Sequence, residues 1–362
     1  MRAAVLTRGQ SPLELFDDVA VTGPLAGQVL VRVSHCGVCH SDLTIIESGI
    51  GPMPIILGHE AAGVVEAVGP GVTSLTPGDH VVLVAIAPCG RCYWCVRGKT
   101  TVCEKAMSFM AGTLPDGSTA LSHRDGPVYR GLGVGGFAEY VLTTEPGAVR
   151  IDPSVPLDLA SVIGCAVQTG VGAVLNTAGV EEGATVLVMG LGGVGISVVQ
   201  GARIAGASRI IASDPLADRR NRALSFGATD VFDPGDVVGF CRDLTGVGVD
   251  YAFDAAGSAR LIESGVLATC NGGMTVSVGA PDAAEVLEGL PAILFAITEK
   301  RLVGCLYGGG NPHWQIPRLV SLWQRGLLDL EGMISTRRPL EEVNSGFDDL
   351  RAGRGLRTVL TI

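Results

Sequence analysis

The run HCGVCHSDL, residues 35–43, contains Cys36-x-x-Cys39 followed at once by His40. Three chemistries share that spelling: covalent attachment of a c-type haem, a redox dithiol, and half of a zinc site. A second run, Cys89-x2-Cys92-x2-Cys95-x7-Cys103, places four thiols within fifteen residues. It fits a closed tetrahedral zinc site, which holds a loop and leaves no position open for chemistry. Disulfides and an iron–sulfur cluster are the alternatives. Against the cluster, the last spacing exceeds that of the bacterial ferredoxin run and no proline follows Cys103.

His59 and Cys165 stand far from the first run. With one cysteine of that run they would supply two thiolates and one imidazole, a catalytic zinc set whose fourth position stays free for water or substrate. No single spacing shows this, because the ligands span more than a hundred residues. Alone, Cys165 reads as a small buried thiol in an apolar helix.

Gly190-x-Gly192-x-x-Gly195 is the third constellation. An apolar strand precedes it, a helix opens from it, and the next strand ends at Asp214, 19 residues past Gly195. Gly190 permits a tight turn, Gly192 lets backbone approach a pyrophosphate, and Gly195 lets the helix pack on the sheet. Gly193 and Val194 complete the loop at the positive helix N-terminus, where the pyrophosphate would sit. Asp214 would accept hydrogen bonds from the adenosine ribose and repel a 2′-phosphate, so NAD is favoured over NADP. Arg219 could offset that selectivity or simply pair with Asp214. A glycine-rich turn without a nucleotide is the bland alternative.

These residues need positioning elements, and the chain supplies two textures. Up to about residue 155 it is rich in Val, Gly and Pro, with short alternating runs (QVLVRVSH, GVVEAVG, DHVVLVA, FAEYVLT) bounded by turn residues such as Pro77-Gly78-Asp79. That predicts a domain of short strands. From about 157, apolar strands alternate with helical segments of about ten residues or more, which implies a parallel sheet covered on both faces. The final helix IPRLVSLWQRG and strand RTVLTI can return to the first domain.

Length and composition set the outer bounds. The 362 residues suggest two domains, and 47% apolar against 17% charged residues can bury large cores. The balance is acidic, 26 basic against 36 acidic residues, which argues against a nucleic-acid partner. No polybasic block points to a membrane surface. Ser161–Val180 and Gly183–Ala202 lack charges over a spanning length. Their Gly, Ala, Thr and amide content reads instead as buried helix and strand of an α/β core. The N-terminal apolar run is too short for a secretory signal. Ten cysteines without such a signal point to a reducing, cytoplasmic setting, where clustered thiols are more often metal ligands than disulfides. That setting also weighs against c-type haem.

With these residues in hand, the chain resembles the zinc-containing alcohol dehydrogenases of the medium-chain dehydrogenase/reductase superfamily. The resemblance runs from Ala3 to the C-terminus. It is carried by GVCHSD, by Gly58-His59-Glu60-x2-Gly63-x5-Gly69-x2-Val72, and by the four-cysteine lobe, GCAVQTG, GLGGVG and LRTVLTI. It implies an α/β protein with a β-rich GroES-like catalytic domain (1–166 and 306–362, with the zinc lobe at 88–104) and a Rossmann doubly wound parallel-sheet NAD domain (167–305). It implies two zinc ions per chain, one catalytic and one structural, and an alcohol or aldehyde substrate.

Residue by residue, the resemblance makes Cys39 the ligand beside His59 and Cys165, with Glu60 behind the metal and Cys36 a bystander. Cys89, Cys92, Cys95 and Cys103 hold the structural ion. Ser41 takes the substrate proton and Asp42 orients His59. His40 and Arg357 meet the cofactor phosphates, and Thr169 and Val278 border the cofactor.

Three positions depart from the family pattern. Thr44 stands where many relatives have a histidine that closes a proton relay. Ala85 replaces a bulky aromatic of the substrate pocket, suggesting a medium-size or bulky alcohol. Ala120 stands where the glutathione-dependent formaldehyde dehydrogenases carry an arginine that grips a glutathione carboxylate, which makes a thiol-adduct substrate the second reading. The loop over 111–140 resembles that of the dimeric members, so a homodimer is expected, with a homotetramer as the alternative. A zinc-free reductase or a non-catalytic nucleotide-binding protein would have lost Ser41 or a ligand, and none is lost.

Overall fold

Turn residues in the first part of the chain break it into strands too short to bury a face alone, and they pair into two sheets. The computed structural model describes residues 1–106, 108–124 and 126–362. Two compact units result: 1–165, 311–324 and 330–362 form one, and 166–310 with 325–329 form the other. Ala166 and residues 306–310 and 325–329, read from sequence with the catalytic domain, therefore belong to the second unit.

The larger sheet of the first unit is centred on strand Gln28–Gly37. That strand pairs with Glu60–Val68 on one side and with the C-terminal strand Arg357–Thr361 on the other. The tail does return, as Val359, Leu360 and Thr361 face Gly37, Cys36 and His35. The loop over 111–140 is not bare chain. Leu121–His123 and Gly126–Arg130 form an antiparallel hairpin within it.

The second unit has six strands, all parallel. Taken in sequence from Thr185–Met189, their spatial order is 3-2-1-4-5-6. This is the doubly wound order, whose reversal opens a crevice at the carboxyl ends of the first and fourth strands. The apolar runs are buried on both faces, as a covered parallel sheet requires.

Leu157–Ala178 is long and apolar enough to cross a membrane, but 89% of its most apolar 18-residue window is buried within the protein, as for a core helix. It is not a uniform α-helix. Two π-helical turns, Ile163–Val167 and Ala173–Ala178, interrupt it. The other charge-free stretch splits into the strand Thr185–Met189 and the helix Gly193–Ile204.

Candidate active site

Backbone pairing assembles the first cluster. Gly37, the last residue of its strand, lies opposite Glu60, the first of its own. The residues just outside that pair, Cys39 and His59, are thereby brought to one place. Cys39 is the extended residue before helix His40–Ser48, which ends at the left-handed Gly49. Cys165 arrives from a π-helical turn, a local irregularity common at functional sites. The residue before it must be glycine, since a Cβ at Gly164 would meet the Leu83 carbonyl oxygen at 2.8 Å.

One ligand atom from each of Cys39, His59, Glu60 and Cys165 lies within 4.8 Å of the others, and all four residues are buried. Ser41 is half-buried, with its Oγ 4.0 Å from Cys39 Sγ. Both Asp42 oxygens lie 3.1 Å from His59 Nδ1, and Oδ1 also accepts the Gly58 N–H at 2.9 Å. Both side chains are fully buried, so this contact sets the ring's orientation and leaves Nε2 buried with no hydrogen-bond partner. The Glu60 oxygens likewise accept no hydrogen bond. Arg357 stands beside them, Nε 3.3 Å from Glu60 Oε2 and Nη1 donating to the Val38 carbonyl at 2.9 Å. Sequence reading gave Arg357 a cofactor contact and missed this pairing, because nothing local announces a buried arginine.

The electrostatics follow from that crowding. Cys39 is driven toward the thiolate by the hydrogen bond from the Cys165 thiol, against burial and with help from His59 and Arg357. Cys165, the donor, holds its proton more tightly. Burial opposes charge on His59, but Asp42 and the Cys39 sulfur outweigh it and push its pKa up. Burial raises Glu60 to about 7, tempered by Arg357. Two sulfurs, an unpartnered imidazole nitrogen and a carboxylate with free lone pairs are the donor set of a zinc ion.

Cys36 has no part in the cluster. It is fully buried, and a Cβ on Gly58 or Gly136 would come within 2.9 or 3.0 Å of its sulfur. The four lobe cysteines form a second metal-competent group, with Cys92 Sγ 3.8 Å from Cys103 Sγ and the Cys89 N–H donating to Cys103 Sγ at 3.4 Å.

An experiment isolates Asp42. Supporting carboxylates of metal-bound histidines typically carry a 10–100-fold share of metal affinity. Asp42→Asn keeps an oxygen for Gly58 and loses the charge behind His59. Competition with a chelator should show zinc held about 10–100-fold more weakly. Unchanged affinity would mean that Asp42 only pins the Gly58 loop.

In the second unit, the glycine loop leaves strand Thr185–Met189 at the switch point. Gly190 is left-handed (φ +88°) and packs on Ala256, while a Cβ at Gly195 would sit 1.8 Å from the Gly190 carbonyl oxygen. A Cβ at Gly192 would meet nothing within 4 Å, so its backbone faces open space, a cradle for an anionic ligand. Gly193 and Val194 begin the helix. Buried Asp214 accepts the Leu191 N–H at 2.8 Å and the Leu216 N–H at 2.9 Å, tying the loop to its strand. Arg219 Nη1 lies 3.7 Å from Asp214 Oδ2, so pairing is what the structure shows.

Val278 follows strand Thr269–Ser277 and donates its N–H to the Asp254 carbonyl at 2.9 Å, and Thr169 is buried in the helix Gln168–Gly172. Sequence reading missed Asp254, whose fully buried carboxylate accepts N–H groups from Ala256, Gly257 and Ser258 at 3.1 Å. Its signal was there: an Asp closing a parallel strand before Ala-Ala-Gly.

The remaining candidates stand apart from these clusters. His40 is exposed at the start of its helix. Thr44 is exposed, and its hydroxyl donates back to the His40 carbonyl at 3.1 Å. Ala85 is buried and borders a cavity of about 20 Å³ rather than a large void. Ala120 is buried with Leu114 and Leu142, so its methyl fills a small apolar cluster.

Comparison with known proteins finds dehydrogenase relatives over nearly the whole chain. Residues 25–153 match the family model of the alcohol dehydrogenase GroES-like domain, and 193–324 match that of the zinc-binding dehydrogenases. An NDMA-dependent alcohol dehydrogenase of Amycolatopsis methanolica is 38% identical over 99% of this chain and 98% of its own length. An S-(hydroxymethyl)glutathione dehydrogenase of Saccharomyces cerevisiae is 37% identical over 99% and 95%. The crystal structure of benzyl alcohol dehydrogenase from Acinetobacter calcoaceticus superposes with a TM-score of 0.93 at 32% identity, covering 100% of this chain and 99% of that one.

Proposed function

Since this chain belongs to the zinc-containing alcohol dehydrogenases of the medium-chain dehydrogenase/reductase superfamily, we propose that it moves a hydride reversibly between a primary or secondary alcohol and NAD. The observation that carries the reading is the buried convergence of Cys39, His59, Glu60 and Cys165 next to the Ser41 hydroxyl. Zinc bound there supplies Lewis acidity toward the substrate oxygen, and bound NAD supplies the hydride acceptor.

The chain's own residues do the rest. Cys39, His59 and Cys165 would hold the catalytic ion, with two thiolates to balance its charge. Glu60 would add a carboxylate to the same cluster, restrained by Arg357. Asp42 keeps the His59 ring in one orientation. Ser41 takes the substrate's proton at Oγ and passes it outward. Gly190, Gly192 and Gly195 admit the pyrophosphate, with His40 and Arg357 as its cationic partners. Asp214 selects the ribose 2′-hydroxyl, while Thr169 and Val278 border the cofactor. Cys89, Cys92, Cys95 and Cys103 hold a structural ion.

Thr44 makes proton release the weak step of this scheme. A hydroxyl already donating to a helix carbonyl can pass a proton but cannot store one near neutrality. His at this exposed position should raise the oxidation rate at neutral pH and shift the pH–rate profile in Thr44→His. An unmoved profile would remove residue 44 from the relay.

A thiol-adduct substrate is the second reading, supported by the S-(hydroxymethyl)glutathione dehydrogenases among the relatives. Ala120, buried among apolar side chains, offers no charge to a glutathione carboxylate. Rates across an alcohol and aldehyde panel, with and without glutathione, decide between the two. Turnover of a bulky alcohol without the thiol supports the first, and strict dependence on glutathione supports the second.

The reading includes a cytoplasmic location, supported by ten cysteines of which none is disulfide-bonded. It also includes a homodimer, with a homotetramer as the alternative. Support comes from the exposed sheet edge Arg301–Gly304 and from helix Ala292–Thr298, which leaves Ile293 and Ile297 in solvent. Sedimentation of the full chain measures the state directly.

A further inference from the structure

Arg130 closes the strand Gly126–Arg130 and is 4% exposed. Its Nη1 donates to the Leu142 carbonyl at 2.8 Å and its Nη2 to the Thr113 carbonyl at 3.0 Å. Both partners are neutral, and Nε has none. Among the described residues no carboxylate pairs with it. Asp116 contributes its field, but its Oδ1 accepts from the Ser118 N–H at 2.9 Å and the Ser118 hydroxyl at 2.6 Å. Burial lowers the guanidinium to about 10, which leaves it charged at neutral pH. A buried cation hydrogen-bonded, among the described residues, only to neutral carbonyls is an expensive arrangement.

The same side chain borders a cavity of about 20 Å³ shared with Ser108, Thr143, Thr144, Ala85 and Phe109. One water-sized occupant takes roughly 10–15 Å³ by this measure. Charge selects an anion, Thr143 and Thr144 stand at the same cavity, and its free volume suits one small ion, while the Ser108 hydroxyl is already spent on the Lys105 carbonyl at 3.0 Å. We propose that this cavity binds a single monatomic, monovalent anion, a halide, on the Arg130 guanidinium. Neither the hydride-transfer scheme nor the two metal clusters uses this site, and the proposal does not rest on them.

The test is thermal unfolding of the full-length, zinc-loaded protein in sodium gluconate, chloride or bromide at constant ionic strength. A ligand bound only by the folded state stabilises it in proportion to the logarithm of its excess over Kd. Tm should rise in chloride and bromide over gluconate by about 2 °C or more. Arg130→Met and Arg130→Gln should abolish the halide-specific rise. Should neither variant fold, crystals of the unaltered protein grown in bromide decide, through anomalous density beside Arg130. Equal Tm in all three salts, a rise that survives both substitutions, or water alone in that density would overturn the proposal.

Discussion

Cys39→Ala should lose nearly all NAD-linked alcohol oxidation, while Cys36→Ala, three residues away, should keep most of it. Cys39 contributes its sulfur to the four-residue cluster, whereas Cys36 lies against Gly58 and Gly136 and takes no part in it. Polarisation by a catalytic zinc is worth several kcal/mol in the transition state, and about 1.4 kcal/mol is tenfold in rate. The Cys39 variant should therefore fall by about 10³-fold or more. Cys36→Ala removes one buried sulfur and should cost about 1 kcal/mol of stability, with kcat near that of the unaltered enzyme. Rates measured on both purified variants, with their zinc content, check the pair. Equal losses would mean that the Cys-x-x-Cys spacing works as a unit after all.

Gly195→Ala and Gly192→Ala should fail in opposite ways. At Gly195 the new Cβ would approach the Gly190 carbonyl to 1.8 Å, which only a backbone shift relieves. Overpacking of this kind costs about 1–3 kcal/mol, and here the shift also disturbs the turn. At Gly192 the Cβ meets no protein atom within 4 Å, and φ is −75°, a value any residue adopts. Stability should hold or rise by about 0.4–1 kcal/mol, because alanine restricts the unfolded chain. The methyl instead occupies the approach to the pyrophosphate, so NAD affinity should fall by about tenfold or more, roughly 1.4 kcal/mol. Calorimetric Tm and NAD titration on the two variants separate the effects. Tight NAD binding by a stable Gly192→Ala protein would remove the loop from cofactor recognition.

Local patterns were legible and long-range encounters were not. The glycine loop could be read because strand, turn and helix are continuous in the chain, and each glycine answers a local steric demand. The lobe cysteines also lie within one short run. Cys39, His59 and Cys165 were different. They meet through the pairing of Gly37 with Glu60 and through the close approach of Gly164 to Leu83, neither of which a spacing encodes. Family resemblance bridged that gap and chose Cys39 over Cys36. Buried charges stayed invisible, because their burial is a property of everything packed around them. Arg357 on Glu60, Asp254 under its loop and Arg130, held among the described residues by carbonyls alone, are the cases. The π-helical turn at Cys165 was hidden for another reason: an apolar segment reads the same with or without one extra residue per turn.

The central claim is that the chain holds two zinc ions, of which one works on the substrate. Elemental analysis during stepwise chelation, paired with the initial rate of NAD-linked oxidation of a bulky alcohol, tests it most directly. About two zinc per chain are expected at the start. The rate should vanish with the more exchangeable ion while the lobe stays filled. Full oxidation by protein that has lost that ion, or no hydride transfer to NAD from any alcohol while both sites are filled, would contradict it.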